Sequence, residues 1–194
     1  KFQSVEKNDD GIFKFLLVSR MLWAKGVKEF VYSAKMIKEK YPNVEFQLLG
    51  HLDVDSPTAI SQKQMNIWEK DGYVNYLGSS DDVRVEISQS DCVVLPSFYR
   101  EGTPRILLES ASMAKPIITT DNVGCRDVVD DGVNGYLCRV KDPKDLALKM
   151  EKMISLTKKQ RVLMGEKGRK KMLIEFDEKI VINKYLKAID GILK

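Results

Sequence analysis

Tyr99-Arg100-Glu101-Gly102-Thr103-Pro104-Arg105-Ile106-Leu107-Leu108-Glu109 follows the apolar run Cys92-Val93-Val94-Leu95, and the junction of the two sets the reading of the whole chain. Four apolar residues without alternation suit a strand covered on both faces. Thr103 is a good N-cap, and Pro104 suits the first helical position, where its missing N–H is not needed. The spacing therefore predicts a helix that opens at Thr103 and runs to Ala114. Such an end carries unpaired backbone donors and the positive end of the helix dipole, which attract an anion such as a phosphate. Gly102 lets a ligand approach the main chain. Glu101 precedes this helix and Glu109 lies within it, so at roughly 1.5 Å rise per residue the two carboxylates stand about one sugar's length apart. A carboxylate beside a phosphate repels it. The glutamates are thus read as acceptors for hydroxyl groups, while cations elsewhere take the phosphates. A nucleoside diphosphate sugar has this layout of parts.

Outward from that stretch, strand and helix patterns alternate. Strands are expected over 12–19, 44–49, 73–77, 92–95, 115–120 and 135–138, and helices from Gly26 to about 41, then over 58–70, 82–90 and 103–114. A short helix is expected around Asp127-Val128-Val129, and longer ones over 143–156, 158–174 and 177–193. Parallel neighbours need crossovers and crossovers cover both faces, so the pattern predicts an α/β fold: a doubly wound, Rossmann-like, six-stranded parallel sheet with helices on both faces. Residues 1–11 form a polar lead-in and 12–194 one domain. Ligands of such sheets sit beyond the carboxyl ends of the strands, at a switch point. Arg20 and Lys25, Gly50, Gly78, Glu101 and Asp121 all follow strands at that edge. A G-x-G-x-x-G fingerprint does not follow the first strand, which argues against a dehydrogenase.

At 194 residues, 43% apolar and 31% charged, the chain has the make-up of a globular domain with one core. No apolar run approaches the roughly 18 to 20 residues of a membrane span. Cys92, Cys125 and Cys138 are widely spaced and read as reduced thiols of a cytoplasmic protein, with Cys92 in the core and Cys125 beside Gly124 in a loop. His51 has no second His or Cys close in sequence to complete a metal site. From Lys152 onward twelve Lys/Arg stand against five Asp/Glu, a basic segment suited to an anionic membrane surface.

The pattern Leu95-Pro96-Ser97, Glu101-Gly102-Thr103-Pro104, Glu109 and Lys115-Pro116-Ile117-Ile118-Thr119-Thr120-Asp121 resembles the C-terminal donor domain of retaining family-four (group 1) glycosyltransferases, which have the two-domain GT-B architecture. Ser19-Arg20, Lys25-Gly26, Gly124-Cys125-Arg126-Asp127, Asp131-Gly132-Val133-Asn134-Gly135 and Met164-Gly165 extend the likeness from about residue 12 to 176. The family often has a glutamate where this chain has Asp127. By this resemblance Arg20 and Lys25 hold the diphosphate and stabilise it as leaving group, and Glu101 contacts the transferred sugar. Glu109 holds the ribose hydroxyls, the stretch Gly102, Thr103, Pro104, Arg105 with Leu108 binds sugar and phosphate, and Tyr76 and Leu77 meet the base. It implies no metal, no cofactor beyond the nucleotide sugar as donor, with UDP as the expected nucleotide, and no nucleic acid.

The resemblance further implies that an N-terminal acceptor domain belongs before this chain, which begins at Lys1, and that the chain alone does not turn over. The expected activity is transfer of a sugar onto a glycan or lipid-linked acceptor in polysaccharide or glycan biosynthesis, in the cytoplasm and peripheral to the membrane. A nucleotide-sugar binding module without transfer and a GT-B sugar-nucleotide epimerase are the alternatives.

Overall fold

The computed structural model describes residues 10–52, 55–100 and 102–180, together with Ile182, Tyr185, Leu186 and Ile189. Glu101 and most of the helix expected over 177–193 lie outside the described residues. The strands are β1 (Phe13–Val18), β2 (Val44–Leu49), β3 (Asn75–Tyr76), β4 (Cys92–Leu95), β5 (Ile117–Thr120) and β6 (Gly135–Cys138). They form one sheet in the order β3-β2-β1-β4-β5-β6, and every pairing is parallel. The doubly wound sheet expected from the sequence is the one found. Its order reverses between β1 and β4, which makes their shared carboxyl end the switch point.

The helices are α1 (Val27–Lys38), α2 (Gln62–Lys70), α3 (Arg84–Gln89), α4 (Arg105–Ser112), α5 (Pro143–Ser155) and α6 (Lys158–Glu175), with a short 3-10 turn over Trp23–Lys25. Local chemistry sets several starts. Ser61 accepts from Gln64 N–H to open α2, Asp142 accepts from Lys144 and Asp145 N–H ahead of Pro143, and Thr157 and Gln160 form a reciprocal capping box. Along β1 the side chains alternate. Phe15 and Leu17 join the core under α1, α2 and α5, whereas Leu16 and Val18 meet Ile87 and Met113 on the opposite face. There α4 and α6 close a further cluster through Leu107, Ala111 and Met172.

Three sequence expectations change. The segment around Asp127-Val128-Val129 is a run of turns rather than a helix: Arg126 N–H donates to Asn122 and Val128 N–H to Cys125, while the side chains of Val128 and Val129 fill the α4–α6 cluster. Helix α2 begins at Gln62 instead of 58, because Thr58 and Ala59 are engaged with the loop after β1, Trp23 N–H donating to Thr58 and Leu22 bridging Ala59. The fifth strand begins at Ile117, since Lys115 turns inward: its Nζ donates to the carbonyls of Ser88 and Ser90 at 2.7 and 2.8 Å and ties off the end of α3.

Helix α6 approaches α4 at two glycines that differ in what they permit. A Cβ at Gly165 would lie 1.8 Å from the carbonyl oxygen of Ala114, whereas one at Gly168 would make ordinary contacts at 3.6 Å or beyond. Gly165→Ala is therefore expected to destabilise the fold by about 1–3 kcal/mol, through overpacking against backbone that cannot swing away. Gly168→Ala is expected to be neutral or stabilising by up to about 1 kcal/mol, the helix-propensity gain. Thermal or urea melts of the two variants check this; equal melting points would contradict the close approach.

Candidate functional site

The carboxyl ends of β1 and β4 are held together by backbone. Ala24, in the 3-10 turn, accepts from Phe98 N–H at 3.0 Å, Tyr99 N–H at 3.2 Å and the Ser97 hydroxyl at 3.3 Å. Gly26 follows in the left-handed region (φ 78°), and a Cβ there would lie 2.1 Å from the carbonyl oxygen of Pro96. Only glycine fits both demands. The turn that carries Lys25 is thereby laid against the loop that leads into α4, and the Lys25 ammonium sits 5.7 Å from the centroid of the Tyr99 ring. Arg20 is exposed on the same loop, where its carbonyl accepts from the Ser19 hydroxyl and from Leu22 N–H.

Helix α4 opens differently from the sequence expectation. Pro104 is the N-cap, with extended backbone (ψ 126°), and its carbonyl accepts from Leu107 and Leu108 N–H; Thr103 makes no capping bond. The helix starts one residue later than expected, at Arg105, because proline supplies the cap carbonyl while no hydroxyl folds back. The N–H groups of Arg105 and Ile106 have no acceptor among the described residues. An uncapped amino terminus with its dipole aimed at the switch point is an electropositive end ready for an anion. Gly102 is exposed and Thr103 half-buried at this opening.

Glu109 lies in the second turn of α4, its side chain 17% exposed, and Arg105 reaches it at 3.3 Å from a side chain 91% exposed. It is neither sunk in hydrocarbon nor rigidly held, since an exposed i,i+4 pair is weak and exchangeable. The Leu108 side chain joins the apolar cluster beneath α4 and lines a groove with Ser112, Arg169 and Met172 on the α6 side of the helix. Position along the stretch could not distinguish the two sides of α4, which are fixed by its rotation against α6.

Tyr76 ends β3 and Leu77 follows it, two strands away from the switch point. The Tyr76 hydroxyl donates to Gly50 at 2.8 Å, and Leu77 remains exposed. Residues not singled out in the sequence complete the other side of the rim. Asn122 donates to the carbonyl of Tyr99 at 3.2 Å, Thr120 donates to that of Ser97, and the Lys141 ammonium lies 4.5 Å from the Phe98 ring centroid. Asp121 pairs with Arg126 at 3.2 Å. A small polar residue closing a buried strand, as Ser97 does after Leu95-Pro96, was the available signal for this hub; Lys141 has none, because only the fold brings β6 beside the loop after β4.

The three thiols stand apart from this chemistry. Cys92, Cys125 and Cys138 are buried thiols outside any disulfide, and Cys125, in the turns after β5, reaches into the α4–α6 cluster. Burial pushes the Cys92 thiol well above its ordinary value and, with Asp145 adding to it, the Cys138 thiol up to about 12, so both stay protonated at neutral pH. Among the described residues no group of three or more His, Cys, Asp or Glu side chains could hold a metal ion, and no helix is long and apolar enough to cross a membrane.

The sequence model of the family described as glycosyl transferases group 1 matches residues 1–171. The chain is 34% identical over 179 residues to the N,N'-diacetylbacillosaminyl-diphospho-undecaprenol alpha-1,3-N-acetylgalactosaminyltransferase of Campylobacter jejuni, covering 92% of this chain and 45% of that protein. Among solved structures it is similar to Anabaena Alr3699/HepE in complex with UDP, with a TM-score of 0.81 and 19% identity over 93% of this chain and 49% of that one. It is also similar to the C-terminal domain of the group 1 glycosyl transferase LpcC of Francisella tularensis, with a TM-score of 0.73 and 22% identity over 90% of this chain and 95% of that one. The chain spans about half the length of the curated relative, and at these identities the structural likenesses speak for the fold.

The contact between Gly26 and Pro96 makes a prediction that needs no ligand. Gly26→Ala is expected to cost about 2–4 kcal/mol, from left-handed backbone strain together with overpacking. Calorimetric melting of the variant checks it, and an unchanged transition would mean that the two loops do not meet as described.

Proposed function

The chain belongs to the group 1 glycosyl transferases, and on that premise we propose that it is the nucleotide-sugar half of a retaining enzyme that takes a UDP-sugar. The acceptor is held by a further domain, so this chain alone binds donor without turning it over. The observation that carries the reading is the joint at Ala24, which brings the Lys25 turn against the loop opening α4. Lys25 and Arg20 then flank one side of an anion placed at the uncapped amino terminus of α4, with the N–H groups of Arg105 and Ile106 on the other.

In this reading the bond between the anomeric carbon and the phosphate oxygen breaks, and its electron pair passes to the diphosphate. Fixed cations and helix amides stabilise that growing charge without reorganising, which is where electrostatic catalysis is most effective. The acceptor hydroxyl bonds to the anomeric carbon on the face the phosphate leaves, and its proton goes to the departing diphosphate. Glu109 exchanges Arg105 for the ribose hydroxyls. Gly102, Thr103 and Pro104 line the sugar and phosphate, Leu77 borders the base, and Glu101, outside the described residues, is assigned to the transferred sugar. The Campylobacter relative is named for an undecaprenol-linked acceptor and the Anabaena neighbour is in complex with UDP; both chemistries are carried into this reading.

Helix α6 supports a peripheral place at a membrane bearing such an acceptor. Its outward surface interleaves exposed Val162, Leu163, Leu173 and Ile174 with exposed Lys159, Lys167 and Lys170, the mixture that anionic interfaces attract.

Two outcomes are expected. In calorimetric titration with UDP, Arg20→Ala and Glu109→Ala are each expected to weaken binding by about 10-fold or more, the loss of one charge-assisted hydrogen bond at about 1.5–3 kcal/mol; undiminished affinity in both variants would sink the reading. In flotation with liposomes at low salt, the protein is expected to prefer anionic over neutral lipid, and Lys167→Glu with Lys170→Glu to remove the preference. Equal partition between the two lipids would dismiss the membrane contact while leaving the donor site intact.

A further inference from the structure

A second concave feature lies on the far side of the turn that carries Lys25. Trp23, Lys28, Tyr32, Gln64 and Trp68 line a cleft of about 320 Å³ between that turn, α1 and α2, within the ~300–1,000 Å³ of small-ligand sites. The two indoles meet edge to face at 85°, with centroids 5.8 Å apart, and so form a corner. Tyr32, 45% exposed, brings a third ring, and the Lys28 ammonium lies 5.5 Å from its centroid.

The polar groups of this corner are unspent. The Tyr32 hydroxyl, the Gln64 side-chain amide and both indole N–H groups have no hydrogen-bond partner among the described residues. Trp68 is 6% exposed and belongs to the core, so it forms the floor of the cleft, while half-buried Trp23 and Gln64 and exposed Tyr32 and Lys28 border it.

We propose that this cleft binds a saccharide that carries an acidic group. A sugar ring presents an apolar C–H face with hydroxyl groups around its edge, and a corner of aromatic faces rimmed by donors matches both parts at once. Lys28 supplies the counter-charge. A flat apolar ligand would strand the amide, the hydroxyl and the indole N–H groups in a dry contact; a bare anion would have no use for three rings. The site goes beyond the donor reading, because it shares no side chain with the rim: Trp23 faces α2, while Lys25 in the same turn faces Tyr99. A glycan chain held here would lie beside the sheet edge at which sugar is added.

The test is built into the sequence, since Trp23 and Trp68 are the two tryptophans of the chain. Tryptophan emission is followed while the protein is titrated with oligomers of glucuronic acid and, separately, with neutral glucose oligomers of the same length. The expected result is a saturable change with the acidic oligomer that survives saturating UDP. Tyr32→Ala is expected to weaken it about two- to tenfold and Lys28→Ala about two- to fivefold, the latter removing the preference over the neutral oligomer. Both positions are exposed, and unchanged melting points verify that the variants fold. No saturable change, or one indifferent to Tyr32→Ala, would overturn the proposal. Displacement by UDP would do so as well, by assigning the signal to the rim; absence of UDP binding with the saccharide signal intact would instead fault only the donor reading.

Discussion

The carbonyl of Ala24 is the point on which the rim depends. It collects three donors from the loop after β4, two of them backbone N–H groups, and the absence of a side chain at Gly26 lets Pro96 come close enough for this to happen. Loop backbone buried without partners would be costly, and here each loop supplies what the other lacks. The consequence is geometric. Two segments more than seventy residues apart in sequence become one border at the place where the strand order reverses, with Lys25 of one set over the Tyr99 ring of the other.

Helix α4 is the second party to that border, and its orientation is decided from behind. Gly165 brings α6 onto the carbonyl of Ala114, Arg169 donates to Ser112, and Leu107, Ala111 and Met172 fill the space between. Asn134 adds a brace from the next loop, its side chain accepting from Asp130 N–H at 2.7 Å and donating to Val128 at 2.9 Å while 2% exposed. A helix held along its back can leave its front end unspent. The missing cap at Thr103 fits that arrangement: stability comes from packing, and the first-turn amides remain free to meet an anion.

The aromatic corner at Trp23 and Trp68 uses the same economy of parts. One 3-10 turn sends Lys25 to one side and Trp23 to the other, so a single backbone feature organises the cationic border and a neighbouring cleft. The cationic border sits beyond the carboxyl ends of the strands, where loops are free to vary while the sheet stays constant, and the cleft lies beside it between α1 and α2.

Much was legible in the residues alone. Unalternating apolar runs marked strands buried on both faces, the intervening helical periods demanded crossovers, and together they determined a parallel doubly wound sheet before any coordinates. Arg20, Lys25, Gly102 and Glu109 were legible as candidates because they follow strand ends or lie in the turns of the helix beyond one. Other features belonged to tertiary structure, for reasons that are physical rather than statistical. The rotation of α4 against α6 decided that Glu109 stays near solvent and Leu108 turns away, and one residue of shift at Pro104 decided that Thr103 does not cap. Packing turned Val128 and Val129 into plugs of a cluster instead of a helix. Contacts between segments distant in the chain, such as Ala24 with Phe98 or Lys141 over the Phe98 ring, have no local signal at all, because the energy that selects them is released only when the sheet brings its strand ends together.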